Sequence, residues 1–183
     1  MKILQITNKV PYPVKDGGAI ACINLTRGFS FLGHKVTLVA MNTVKHNITL
    51  REIPESIREL ADFRLVDVPA RISPFSALLN LLFSRKPYNA VRFISGTFER
   101  ELKKILQANE FDIIQLEGLY VCPYIPLIRK YSKAKVVYRA HNIEHEIWSR
   151  TAVMAEGFEK WYMKILSKDR KSTRLNSSHG YIS

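Results

Sequence analysis

Lys2-Ile3-Leu4-Gln5-Ile6-Thr7, Gly33 and Lys35-Val36-Thr37-Leu38-Val39-Ala40 decide how this chain folds. The two outer stretches are short, apolar and rich in β-branched residues, the composition of strands buried on both faces of a parallel sheet. Between them Cys22, Leu25, Phe29 and Leu32 recur at helical spacing, and Gly33 stands where a left-handed helix cap is needed before the chain re-enters a strand. Strand, helix, strand in about forty residues is one parallel crossover unit.

The pattern repeats downstream. Phe111–Leu116 and Lys135–Ala140 read as further buried strands, and Phe63–Val68 as a weaker one behind a helix candidate at Pro54–Ala61. Phe98, Leu102, Ile105 and Leu106 form the stripe of another helix, with Glu99, Arg100, Glu101, Lys103 and Lys104 mostly off it. The expectation is an α/β domain with a doubly wound, mostly parallel sheet and right-handed crossovers.

Length and composition agree. The 183 residues suit one domain with a sizeable core, and 46% hydrophobic residues exclude a wholly disordered chain. Cys22 and Cys122 are too few for a disulfide scaffold or a four-cysteine zinc site, and fit a reducing, cytoplasmic compartment. No apolar run approaches the roughly 18–20 residues of a membrane span, and the N-terminal run is too short for a signal peptide. Residues 170–183 break the pattern: polar and serine-rich, they follow a helix candidate at Trp161–Leu166 that has no packed successor. The reading therefore divides the chain into a folded domain at 1–169 and a non-native disordered tail at 170–183, the alternative being an authentic basic tail.

Three loops could carry chemistry. In an open α/β sheet, ligands bind beyond the carboxyl ends of the strands. The connection Asn8–Ala19 leaves the first strand there; Pro11 and Pro13 stiffen it, and Gly17-Gly18 lets backbone amides approach an anion such as a diphosphate at a helix start. It carries neither Gly-x-Gly-x-x-Gly nor a Gly-Lys-Ser/Thr step, and a plain turn into a helix accounts for it equally. His141-Asn142 follows the last strand, where the imidazole could donate to a sugar hydroxyl or a phosphate, while Asn142, Glu144 and His145 could equally cap a helix. Glu117, ending the Phe111 strand, faces the same crevice either as an acceptor for a polyol or as an acid near a helix start. His141 and His145 lack a third ligand, so no metal site is expected, and no nucleophilic triad can be assembled from the spacing.

Lys and Arg number 28 against 16 Asp and Glu, a net charge of +12 that invites an anionic partner. Arg170, Lys171 and Arg174 supply three of those charges from the tail. No acid lies between Asp67 and Glu99, a window that holds Arg71, Arg85, Lys86 and Arg92 among many apolar residues. Arg85 and Lys86 at the end of an apolar helix could face an anionic membrane; a core helix with a solvated basic end is the alternative. Nucleic acid fits less well, since no recognised binding motif appears.

Taken in order, Pro11-Tyr12-Pro13, Gly17-Gly18, Gly33-His34-Lys35-Val36 and His141-Asn142-Ile143-Glu144 resemble the N-terminal domain of family 4-like glycosyltransferases over about residues 1–169. These enzymes have the GT-B fold, two Rossmann-like domains facing across a cleft. The resemblance implies transfer of a sugar from a nucleotide-diphosphate donor to a glycan or lipid-linked acceptor, with retention and without a cofactor or essential metal. It implies Gly17 and Gly18 near the donor diphosphate, His141 as the catalytic candidate near the transferred sugar, and Asn142 and Glu117 as acceptor or sugar contacts. It gives the basic apolar window a purpose as a peripheral contact with the cytoplasmic membrane face. The donor-binding second domain, with the family's paired-glutamate motif, is missing from the 183 residues, so the chain alone is expected to be an inactive half-enzyme. The alternative from another class is a stand-alone basic α/β module that binds nucleic acid or an anionic membrane surface.

Overall fold

A computed structural model describes residues 1–44, 47–69 and 93–140. Five strands, β1 (Lys2–Thr7), β2 (Lys35–Thr43), β3 (Asp62–Val68), β4 (Ile113–Glu117) and β5 (Lys135–Arg139), form one sheet in the order β3-β2-β1-β4-β5. Every neighbouring pair is parallel. Helix α1 (Gly17–Phe31) joins β1 to β2, the single turn α2 (Glu55–Arg58) leads to β3, and α3 (Gly96–Ala108) leads to β4. A 3₁₀ segment at Leu119–Tyr124 runs into α4 (Ile125–Tyr131) before β5. The fold is the doubly wound, Rossmann-like α/β arrangement, all-parallel in its described strands.

Alternation along the strands sends side chains to two separate cores. Leu4 and Ile6 of β1, with Ile114 and Leu116 of β4, pack against Phe98, Leu102 and Leu106 of α3 and Ile128 of α4. On the opposite face, Leu38, Ala40 and Phe63 meet Cys22 and Ile23 of α1 and Ile57 of α2. Both faces of β1 are covered, as its apolar run requires.

Local signals explain the boundaries. The Asp16 carboxylate accepts from the Ala19 amide at 3.0 Å and starts α1. Gly33 stops it: its φ of +74° closes the helix, with Gly33 N donating to Ser30 O at 2.9 Å and His34 N to Phe29 O at 3.0 Å. The buried stripe of α1 is Ala19, Cys22, Ile23 and Thr26. Leu32, expected on that stripe, instead occupies the cap and is 67% exposed. The element at 119–131 carries Pro123 and Pro126, whose interruption of helical periodicity hid it from the sequence reading. Tyr124 ties it to the start of α3: its hydroxyl donates to Phe93 O and accepts from Ser95 N, each at 2.8 Å, while its ring lies 4.9 Å from that of Phe98.

Phe98 is completely buried and Phe31 is 89% exposed. Urea denaturation of Phe98→Ala should show a loss of about 3–5 kcal/mol, whereas Phe31→Ala should stay within about 0.5 kcal/mol of the parent. Equal losses would contradict the packing described.

Candidate functional site

The order β3-β2-β1-β4-β5 reverses the winding at β1: α1 and α2 lie on one face of the sheet, α3 and α4 on the other. The chains leaving β1 and β4 therefore part in opposite directions, and a crevice opens beyond the carboxyl ends of these strands. Thr7 and Glu117 are register partners at that edge, and Arg139 is the partner of Glu117 on β5.

Glu117 is the centre of the cluster. It is 1% exposed, and a buried carboxylate costs several kcal/mol unless it is paired and hydrogen-bonded. Gln115, on the same face two residues back, donates from Nε2 to Glu117 Oε1. Arg139 reaches across from β5, its Nη1 donating to Glu117 Oε2 at 3.3 Å and to the Ala21 carbonyl of α1 at 3.2 Å. One guanidinium thus links β5, β4 and α1 over the switch point. Its side chain stays 32% exposed, so the charge is shared with solvent at the mouth.

Below lies a polar row. Gln5 of β1 is fully buried and opposite Gln115 in register. Thr26 Oγ1 is 2.7 Å from Gln5 Oε1 and 2.9 Å from the Cys22 carbonyl, but one hydroxyl hydrogen can serve only one of them. Turning the Gln5 amide satisfies both: Nε2, otherwise without a partner, donates to Thr26, and Thr26 donates to Cys22.

The β1–α1 connection forms the other side. Thr7 Oγ1 donates to Lys9 O at 2.9 Å, turning the chain at the strand end. Lys9 Nζ pairs with Asp16 Oδ2, and this bond, with the Ala19 amide next, holds the Asp16 carboxyl below its ordinary range. The peptide Tyr12-Pro13 is cis. Neither Gly17 nor Gly18 has a positive φ. A side chain at Gly17 would meet open space, whereas a Cβ at Gly18 would stand 3.2 Å from Asp16 Oδ1. Gly18 therefore makes room for the capping carboxylate, an anion already seated at the start of α1.

The structure brings Gly17, Gly18 and Glu117 to one edge of the sheet. His141, Asn142, Arg85 and Lys86 lie outside the described residues, as do 170–183. Among the described residues, no three His, Cys, Asp or Glu side chains gather as metal ligands, and no helix is long and apolar enough to cross a membrane. Arg139, Gln5 and Thr26 escaped the sequence reading. The only signal was polarity where a buried strand or stripe should be apolar, at Gln5, Gln115 and Thr26. The sequence matches no protein-family model and no curated protein.

Cys22 sits against this network. Burial first, and then the Glu117 charge, push its thiol up to about 12, against the opposing pull of Arg139. Burial alone pushes Cys122 up to about 12. Both thiols should resist a disulfide reagent at pH 8 in the native state and react at once on unfolding; rapid native labelling would contradict their burial.

Asp16 gives a pH signature. Its carboxyl titrates lower when folded than when unfolded, so its contribution is present above about pH 4 and fades as pH falls through the folded value. The stability difference between the parent and Asp16→Asn should be largest near neutrality and vanish in acid. A difference that is flat with pH would exclude the Lys9 pairing as its source. Asp16→Ala, which also loses the cap, should cost about 0.5–2 kcal/mol.

Proposed function

We propose that this chain is the acceptor-side domain of a GT-B glycosyltransferase that uses a nucleotide-diphosphate sugar. The observation that carries the reading is the pairing of cations with carboxylates at the switch point. Two cations, Lys9 and Arg139, each stand beside a carboxylate, Asp16 and Glu117, so these pairs set donors and acceptors side by side, while Lys15 in the same connection forms no ion pair with a described residue. A polyol has the same alternation of donor and acceptor groups, whereas a phosphate would meet a carboxylate beside both Lys9 and Arg139. Arg139 and Lys9 are the sugar-contacting groups of this reading, and Glu117, buried behind Arg139, positions its guanidinium.

The resemblance supports it from another direction. Pro11-Tyr12-Pro13 and Gly17-Gly18 lie in the connection that borders the crevice, and Gly33-His34-Lys35-Val36 forms the α1–β2 turn. His141 follows β5 by two residues, and in this reading it stands near the transferred sugar. In this reading the donor diphosphate approaches Gly17, the glycine with open space beside it. The reading requires a second Rossmann-like domain to hold the nucleotide.

The test is saturation-transfer NMR of the chain with neutral oligosaccharides, beside single-stranded and duplex DNA. Oligosaccharide binding should weaken about tenfold or more in Lys9→Gln and in Arg139→Lys, each of which removes a bond to a charged donor. In the full-length gene product, His141→Ala should strongly lower transfer from a nucleotide-diphosphate sugar. Absence of sugar binding, with steeply salt-dependent DNA binding instead, would replace this reading by that of a nucleic-acid module.

A further inference from the structure

At the opposite end of the sheet, the amino-terminal edge, the charges are not balanced. β1, β2 and β5 each begin with a lysine, Lys2, Lys35 and Lys135, and Lys133 stands two residues before the last. All four are exposed, and none forms an ion pair with a described residue. Lys2 and Lys35 are register partners, and on the other side the Asp112 amide donates to Lys2 O at 2.9 Å. With strands about 4.8 Å apart, the row from β2 to β5 spans about 14 Å. Of the acids at this edge, Asp62 at the start of β3 pairs with Arg64, and Asp112 is committed to the chain itself, its Oδ2 accepting from the Lys2 amide at 2.7 Å; Glu110 lines the cleft beside it.

Large apolar side chains stand at the same edge. Because α1 runs antiparallel to the strands, its carboxyl end emerges here, with Phe31 89% and Leu32 67% exposed. Met1, whose carbonyl accepts from Lys35 N at 2.9 Å, is 58% exposed. A broad cleft lined by Lys2, Lys35, Lys133, Lys135 and Tyr131 continues the surface under the ends of α3 and α4. Exposed Phe and Leu next to unpaired lysines match an interface whose partner is apolar within and anionic at its surface.

We propose that this edge docks on an anionic lipid bilayer, with Phe31 and Leu32 entering the headgroup region and the four lysines meeting acidic headgroups. The proposal does not draw on Arg85 or Lys86, which lie outside the described residues. The proposal is independent of the sugar-transfer reading, since the crevice lies at the other end of the strands. β1 has six residues at about 3.3 Å each, so docking holds the crevice about 20 Å above the lipid surface. Nucleic acid is the competing partner for the lysines, but two adjacent aliphatic and aromatic side chains at a helix end favour lipid.

Co-sedimentation of the full chain with phosphatidylcholine vesicles, with and without phosphatidylglycerol, tests it. Binding should require phosphatidylglycerol and weaken as salt is raised. Each lysine neutralised should lower partitioning about fivefold, so that Lys35→Gln, Lys133→Gln and Lys135→Gln combined lose about a hundredfold. Phe31→Ser with Leu32→Ser should lose at least tenfold while circular dichroism stays unchanged, both side chains being exposed. Vesicle binding that survives both variants, or that disappears only in Arg85→Gln with Lys86→Gln, would overturn the proposal. So would loss of single-stranded DNA binding in the lysine variant while vesicle binding is absent in the parent.

Discussion

β1 is hydrogen-bonded along both edges, to β2 on one side and to β4 on the other, and the rest of the architecture follows from that constraint. A central parallel strand cannot be reached by hairpins; each neighbour needs a crossover. Crossovers of one hand, wound outward from β1 in two directions, must lie on opposite faces of the sheet. α1 and α2 therefore build one core, α3 and α4 build the other, and the divergence at β1 leaves a crevice that no crossover fills. The position of the candidate site is a consequence of the winding, before any side chain is considered.

The two faces of β1 then receive different chemistry. Leu4 and Ile6 face an apolar core, whereas Gln5 and Thr7 lie on the α1 side with Gln115 and Glu117 of β4 beside them. Polar groups at the centre of a parallel sheet cost stability unless they are satisfied. Here they satisfy one another: Gln5 through Thr26, Gln115 through Glu117, and Glu117 through Arg139. An apolar row would fill the same volume with no such requirement, so these residues are better explained by what they hold at the crevice. Arg139 is the group so held, fixed by a carboxylate and a helix carbonyl and still reaching solvent.

Much of this fold was legible because parallel strands and capped helices leave short-range marks. β1, β3 and β5, the α3 stripe and the turn at Gly33 all stand where periodicity and the cap residue put them, and β2 differs only in running on to Thr43. The segment 119–131 was not legible, since Pro123 and Pro126 erase the helical period that tertiary packing of Tyr124 and Ile128 restores. Glu117 was visible at a strand end, although the pattern placed that strand at Phe111–Leu116 and it runs from Ile113 to Glu117. Its partner was not, because the Glu117–Arg139 bond spans 22 residues and exists only once β4 and β5 lie side by side. Likewise Gly18 reads as room for a ligand until the Asp16 carboxylate is seen in that space.

Parallel topology also explains why the two ends of the sheet differ in charge. With all strands pointing one way, the described helices run the other way, and their carboxyl ends, at Phe31, Ala108 and Tyr131, gather at the amino-terminal edge. Each contributes a partial negative charge there, which favours cations without needing a carboxylate partner. Lysines at strand starts are stabilised by that field, so the edge can carry a net positive charge at little cost to the fold. At the carboxyl-terminal edge the helix start at Asp16 provides the opposite field, and Lys9 and Arg139 there are each accompanied by an acid. Among the described residues the fold thus sets ion-paired Lys9 and Arg139 at one end of the strands and an unpaired lysine row at the other.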